Sequence, residues 1–272
     1  VATESIKFLE RFANSKERFF LAAGFYRLHT PFVAPKKWFD LYPLNKIGLP
    51  VLSDADRARK PKAAYTSAQK VQDTMSDDQR KEAIQAYQAA TSFMDAQVGR
   101  IVDALDRLGM AKDTVIVFTS DHGYHLGDHG LWQKRSLFER SARVPFIVAA
   151  PGMPSGKAAS APVGMIDIYP TVASLAGLPA PEYLDGKDLS ASLKDSTTVI
   201  NRAVFSQVYD GYSVRTERWR YTEWSGGKNG AVLHDMVADP AEKTNLAGDV
   251  THAETVAEMK QLLAGYIGSS EH

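Results

Sequence analysis

The sequence predicts an α/β fold that ends in a small antiparallel sheet. Three observations predict it. Short apolar runs at residues 19–24, 114–119 and 144–150 read as strands buried on both faces, the pattern of a mostly parallel sheet. Apolar residues at three-to-four spacing from Ile84 to Leu108 put a helix between the first two runs, so strand and helix alternate. After about residue 195 the texture changes to short strand-like runs divided by turns.

Taken in order, residues 3–13 place Phe8, Leu9 and Phe12 on one helical face, and residues 14–17 form a polar turn. The run 19–24 opens onto Phe25-Tyr-Arg-Leu-His-Thr-Pro-Phe32, a loop closed by Pro31. Residues 33–75 are broken by Pro35, Pro43, Pro50 and Pro61 and read as irregular; a stretch of that kind covers a site or is mobile. Ser76-Asp-Asp-Gln79 has the pattern of a capping box, and Gly109 suits the position just past a helix end, so the long helix lies between them. Residues 165–176 read as a further helix. Runs at 203–208, 211–216, 220–224 and 232–236 make the small sheet, with Gly226-Gly-Lys-Asn-Gly230 as a hairpin turn and an amphipathic helix at 251–267 to close it. The expected division is an α/β core over residues 1–195 and an antiparallel subdomain over 196–272.

A chain of 272 residues buries a sizeable core without cross-links. Its 32 basic and 32 acidic residues cancel and include no polybasic run, which argues against nucleic acid or a membrane surface as partner. There is no cysteine, which excludes disulfides, thiolate metal sites and a cysteine nucleophile. No apolar run reaches the ~18 residues of a membrane span.

The chemistry concentrates in residues 114–134. A buried strand runs into a loop reading Asp121-His-Gly-Tyr-His-Leu-Gly-Asp-His-Gly130, and Lys134 follows. In α/β sheets ligands bind beyond the carboxyl ends of strands, where Asp121 and His122 stand. An Asp supplies a hard oxygen ligand, a neighbouring side chain extends the shell, and Lys134 would meet an anion as a point charge. Asp121 alone is equally readable as a turn or helix cap. His125 is expected to line a pocket or support one, and His129 to be structural. His29 follows the run 19–24 as Asp121 follows 114–119, so two loops are expected to converge on one crevice.

The stretch Thr119-Ser-Asp-His-Gly-Tyr-His-Leu-Gly-Asp-His-Gly-Leu-Trp-Gln-Lys134 resembles a signature region of type I sulfatases, in particular the iduronate-2-sulfatase-like branch. The segment Gly24-Phe-Tyr-Arg-Leu-His-Thr-Pro-Phe32 resembles another, with Leu28 where that branch has Pro. Further similarity lies in Phe138-Glu-Arg-Ser-Ala-Arg-Val-Pro145, Asp167-Ile-Tyr-Pro-Thr171, Gly211-Tyr-Ser-Val-Arg215, Arg220-Tyr-Thr222 and the stretch from Asp235 to Leu246. The resemblance implies an alkaline-phosphatase-like α/β fold, a divalent cation (calcium) and hydrolysis of sulfate esters of sugars such as glycosaminoglycans. It implies that Asp121 and His122 ligate the cation, that Lys134 binds the sulfate and that His29 assists the leaving group. Tyr26, Arg27, His125 and Trp132 would shape the sugar pocket. A phosphate or phosphonate ester hydrolase of the same superfamily, or a non-catalytic sugar-binding remnant, are the alternatives.

The family's nucleophile is a formylglycine made within Cys/Ser-x-Pro-x-Arg, and its other metal ligands are paired aspartates near the N-terminus. Neither feature occurs in these 272 residues. The expectation is therefore the C-terminal portion of a longer sulfatase, periplasmic or extracellular. By itself it should be inert and should bind calcium weakly, and it should rely on an N-terminal portion or partner chain.

Overall fold

Ser76 starts the longest helix of the protein by accepting the Gln79 N–H, while the Gln79 side chain accepts the Ser76 N–H. Two of the four orphan donors at the helix start are satisfied this way. The computed structural model describes residues 1–51 and 53–270, the last two by backbone alone. In chain order its elements are α1 (Ala2–Ser15), α2 (Lys36–Phe39), α3 (Asp54–Ala58), α4 (Lys70–Asp73), α5 (Asp77–Arg107), β1 (Ile116–Thr119), α6 (Glu139–Ala142), β2 (Phe146–Ala149), α7 (Ile168–Leu175), α8 (Ser190–Lys194), β3 (Val204–Val208), β4 (Gly211–Arg215), β5 (Trp219–Trp224), β6 (Ala231–Asp235) and α9 (Ala253–Ser270). Short 3-10 turns punctuate the loops. Among the described residues no helix is long and apolar enough to cross a membrane.

The chain forms two compact units, residues 1–50 with 70–114, and residues 51–69 with 115–272. Residues 51–69 join the second unit through contacts with the C-terminal sheet and the loop after it. Lys60 Nζ donates to Lys243 O at 2.8 Å, and Asn245 Nδ2 donates to Arg59 O at 3.0 Å. Gly230, at φ +101, lies so close to Pro61 that an added Cβ would stand 2.5 Å from the proline ring.

In the first unit α1 and α2 pack on α5. Leu9, Ala89, Ala90 and Met94 are buried there, and Glu10 pairs with Arg107 at 3.1 Å. The expected strand at 19–24 does not form. The segment carries no regular secondary structure, Phe19 stacks on Phe12 at 4.9 Å, and Phe20 is 84% exposed. A strand needs a neighbour to satisfy its backbone, and this segment has no ladder partner among the described residues. The 33–75 stretch is less irregular than expected, since α2, α3 and α4 interrupt it.

In the second unit β1 and β2 pair antiparallel, Ile116 opposite Ala149 and Thr119 opposite Phe146. The expected parallel pairing does not occur among the described residues. Continuous apolar runs report burial and carry no information on strand direction. The four-stranded sheet β3-β4-β5-β6 is an antiparallel meander, as expected. Its alternation defines two faces. Val214, Tyr221 and Leu233 meet Met259 and Leu263 of α9 on one. Trp224 and Val232, on the other, pack with Leu131, Phe138 and Ala64. The loop after β1 thus rests on the second face of the sheet.

The Asp167-Ile-Tyr-Pro-Thr171 segment is a structural clasp. Asp167 is 2% exposed and accepts from Gly164 N, Lys187 N and Asn201 Nδ2 at 2.7–2.8 Å. Three donors on one buried carboxylate satisfy it and join α7 to the segments before β3.

Candidate active site

Asp121 and His122 leave the end of β1 and fold against each other. Asp121 Oδ1 accepts the His122 N–H at 3.1 Å, and Ser120 Oγ donates to His122 O at 3.0 Å. His122 Nδ1 lies 2.8 Å from Gly123 O. A carbonyl only accepts, so Nδ1 carries the proton and Nε2 of the neutral ring holds a lone pair. That atom stands 3.4 Å from Asp121 Oδ2. Two electron-pair donors converging on the solvent side suit a cation between them. Calcium, however, takes about six to eight oxygen ligands. This pair offers one carboxylate and one imidazole, and no group of three or more His, Cys, Asp or Glu able to hold a metal occurs among the described residues. The residues present do not amount to a calcium site by themselves.

Gly123 fixes where the pair sits. Its N–H donates to Ser141 O at 2.8 Å. A Cβ at this position would stand 2.1 Å from Arg140 O and 2.9 Å from Arg143 O. These are backbone atoms of α6 and its C-cap, so they cannot swing aside. Gly123→Ala should therefore cost about 3 kcal/mol, the upper end for overpacking, read as a lower urea midpoint. A variant as stable as the parent would contradict the close approach.

Beyond Gly123 the chain doubles back. His125 N donates to Gln133 O at 3.0 Å and Gly127 N to Leu131 O at 2.8 Å. Gly127, His129 and Gly130 all have positive φ in this turn. His129 tolerates it with its ring stacked on Phe138 at 4.1 Å. The hairpin brings Lys134 back beside α6, where Ser141 Oγ donates to Lys134 O at 2.8 Å. Among the described residues no carboxylate lies within ion-pair distance of the Lys134 ammonium.

His125 and Trp132, expected to shape a sugar pocket, are both buried. His125 is fully buried, its Nε2 2.7 Å from Ser136 Oγ. Burial, reinforced by His129, pushes its pKa down to about 3, so it stays neutral. Of its two expected roles, support of the loop is the one this position allows. Trp132 is 9% exposed and its carbonyl accepts from Tyr124 Oη at 2.9 Å. The hairpin turns both rings inward because its apolar residues share the core with Phe138. His129 is structural, as expected, with its pKa lowered to about 4 chiefly by burial and then by Lys60.

The remaining candidates lie in the first unit. Tyr26, Arg27 and Leu28 form a 3-10 turn, and the His29 ring stacks on Tyr26 at 5.1 Å. His29 Nδ1 is 2.9 Å from Thr30 O, so its proton is committed there and Nε2 is the atom free to exchange one. Tyr26, Arg27 and His29 are exposed.

Sequence reasoning missed a buried ionic cluster beneath the loop. Arg220, 3% exposed, contacts Glu139 through Nη2 and Leu137 O at 3.2 Å through Nη1. Its Nε stands 3.2 Å from Glu242 Oε1, an ion pair without good hydrogen-bond alignment. Glu242 is fully buried, and Glu139 N donates to its Oε2 at 2.7 Å. His234 lies beside them, bonded through Nδ1 to Thr244 O at 2.8 Å. A cavity of about 10 Å³ between Arg220, His234 and Glu242 is too small for a sugar.

Residues 1–178 match the Sulfatase family profile, and residues 127–267 match that of the C-terminal region of N-sulphoglucosamine sulphohydrolase. The chain belongs to the sulfatase family. A sulfatase of Formosa agariphila is 35% identical over 94% of this sulfatase chain and 51% of its own length. The iduronate 2-sulfatase of Homo sapiens is 30% identical over 90% of this chain and 61% of its own length. A choline-sulfatase of Rhizobium meliloti is 32% identical over 86% and 47%. The chain thus spans about half to three fifths of the curated relatives it matches. Among solved structures, the phosphonate monoester hydrolase of Silicibacter pomeroyi superposes with a TM-score of 0.83 at 23% identity, covering 96% of this chain and 58% of that one. A 2-O GAG sulfatase superposes at 0.75 and 22%, covering 99% and 62%. These likenesses carry the fold, that of sulfatases and phosphonate hydrolases.

Proposed function

We propose that this chain is the C-terminal portion of an enzyme that hydrolyses sulfate esters of sugars. The carrying observation is one hairpin that holds the Asp121–His122 pair at its start and, at its end, the Lys134 ammonium, which has no ion-pair partner among the described residues, both secured to α6. Family membership supports sulfate as the group handled. Lys134 would bind the sulfate oxygens, whose charge grows as the ester bond breaks. His29, protonated at Nε2, would deliver a proton to the departing sugar oxygen. Tyr26 stacks on its ring and, with Arg27, would shape the entrance for the sugar.

A divalent cation, calcium on the family resemblance, would take Asp121 and His122 as two of its ligands. Its other oxygens and the attacking atom are not among these residues and would come from an N-terminal portion or a partner chain. A uronate 2-O-sulfate within a glycosaminoglycan is the substrate we favour, because iduronate 2-sulfatases stand among the relatives. A polymer of that kind is met outside the cytoplasm, and we place the enzyme there.

The test uses the complete enzyme. Lys134→Ala should lower kcat/KM for a sulfated uronide by about 10²–10³-fold. His29→Ala should lower kcat by about 10²–10⁴-fold, and less on an aryl sulfate whose leaving group needs no proton. Faster turnover of a matched phosphonate or phosphate ester would reassign the enzyme to the other hydrolases of this fold. Sulfate release unchanged by Lys134→Ala would refute the assignment of the hairpin.

A further inference from the structure

Two of the segments noted in the sequence, Phe138 to Pro145 and Arg220 to Thr222, have no part in the chemistry above, yet the structure joins them. Glu139, the first residue of α6, is gripped twice. Arg220 of β5 holds its carboxylate, with Arg215 Nε a further 3.6 Å contact. Glu242 holds its backbone N–H at 2.7 Å. Two residues later α6 carries the hairpin at two points. Ser141 O accepts the Gly123 N–H, and Ser141 Oγ donates to Lys134 O, both at 2.8 Å. The same four-residue helix thus touches the residue next to His122 and the backbone of Lys134.

We propose that the buried Arg220–Glu242 pair is a positioning device, which sets the Asp121–His122 pair and Lys134 in register by fixing α6 to the C-terminal sheet. The assignment rests on the reading of the hairpin as the site. The pair touches neither candidate ligand nor Lys134, so Arg220 and Glu242 are positioning residues. Of the ion pairs on α6, those made by Arg220 and Arg215 of the sheet are the more buried. Arg140 and Arg143 face outward, and their ion pairs with Asp128 and Glu139 are 3.4 and 3.7 Å long. Pairs of that kind hold little at a surface, which leaves the grip on Glu139 as the buried ionic constraint on α6, beside the packing of Phe138.

The test is amide hydrogen exchange on the 272-residue chain, residue by residue. It is independent of whether the anion is sulfate. Two variants are compared with the parent: Arg220→Lys, which keeps the charge and loses the fork, and the double Arg220→Met/Glu242→Leu, which removes both charges. In each, the Gly123 amide should lose roughly tenfold or more of its protection beyond whatever Val214, Thr222 and Leu233 of the sheet lose through lower global stability. Gly123 protected as in the parent in a folded variant overturns the proposal. So does loss of protection at Gly123 in step with the sheet, which assigns the pair to general stability. Should the hydrolytic reading of the hairpin fail, these rates would be unaffected.

Discussion

Arg220→Ala should destabilise the second unit by about 3–5 kcal/mol, because it leaves the buried Glu242 without its cation and takes the nearest one from Glu139. Glu242 is wholly enclosed and Glu139 is mostly so, with 16% of its side chain exposed. With the guanidinium gone, Glu242 keeps one hydrogen bond from Glu139 N, and Lys60 is too occupied with Asp56 O and Lys243 O to replace it. Leu137 O and Ser213 Oγ lose a donor as well. The measurement is equilibrium unfolding in urea, where the loss shows as a lower midpoint with an unchanged slope. Removing Glu242 together with Arg220 should recover part of the loss, since most of the penalty belongs to the unpaired charge. Glu139 then still has Arg215 and Arg143 within 4 Å. A single variant no less stable than the double one would show that the pair is not where the energy lies.

The second large effect is acid lability. His125, His129 and His234 are buried and neutral, with pKa values lowered to about 3, 4 and 3, in each case chiefly by burial. Between pH 6.5 and about 4 the unfolded chain binds protons that the folded one refuses, so stability falls as pH falls. Glu242 acts in the opposite sense. Burial raises its pKa to about 7 against the pull of Arg220, so the folded state holds a proton between 4.5 and 7 that the unfolded state lacks. That contribution declines as pH rises. Three histidines outweigh one carboxyl, and the net slope should reach up to about 3 kcal/mol per pH unit. Urea midpoints at pH 7.5, 6 and 5 should drop steadily, and a flat series would contradict the burial of the histidines.

Where local pattern decides structure, the sequence was legible. The Ser76–Gln79 box and the apolar stripe of α5 announce that helix, and the glycine-rich turn at 226–230 announces the hairpin between β5 and β6. Where structure depends on a neighbour, it was not. Residues 19–24 have the composition of a strand and find no ladder partner among the described residues, and β1 and β2 have apolar runs that say nothing of direction. The candidate site divides the same way. Asp121, His122 and Lys134 stand out by type and spacing. His125 and Trp132 belong to the same motif, but only the fold of the hairpin reveals that their rings turn inward. Arg220 and Glu242 meet across 22 positions with no periodicity between them, and Glu242 follows Asp239-Pro240 in a stretch that reads as a solvated turn.

The approach of Gly123 to α6 bears on how this sequence can drift. The three heavy atoms nearest to where a Cβ on Gly123 would stand are all main-chain atoms of α6 and its C-cap, Arg140 O, Arg143 O and the carbonyl carbon of Arg140. The side chains of Arg140 and Arg143 point away, 68% and 78% exposed, in weak surface pairs. Substitution at Arg140 and Arg143 is therefore nearly free so long as the backbone keeps its course, whereas position 123 admits no side chain at all. The contact is asymmetric in what it demands of its two sides: one is fixed in identity, the other only in shape.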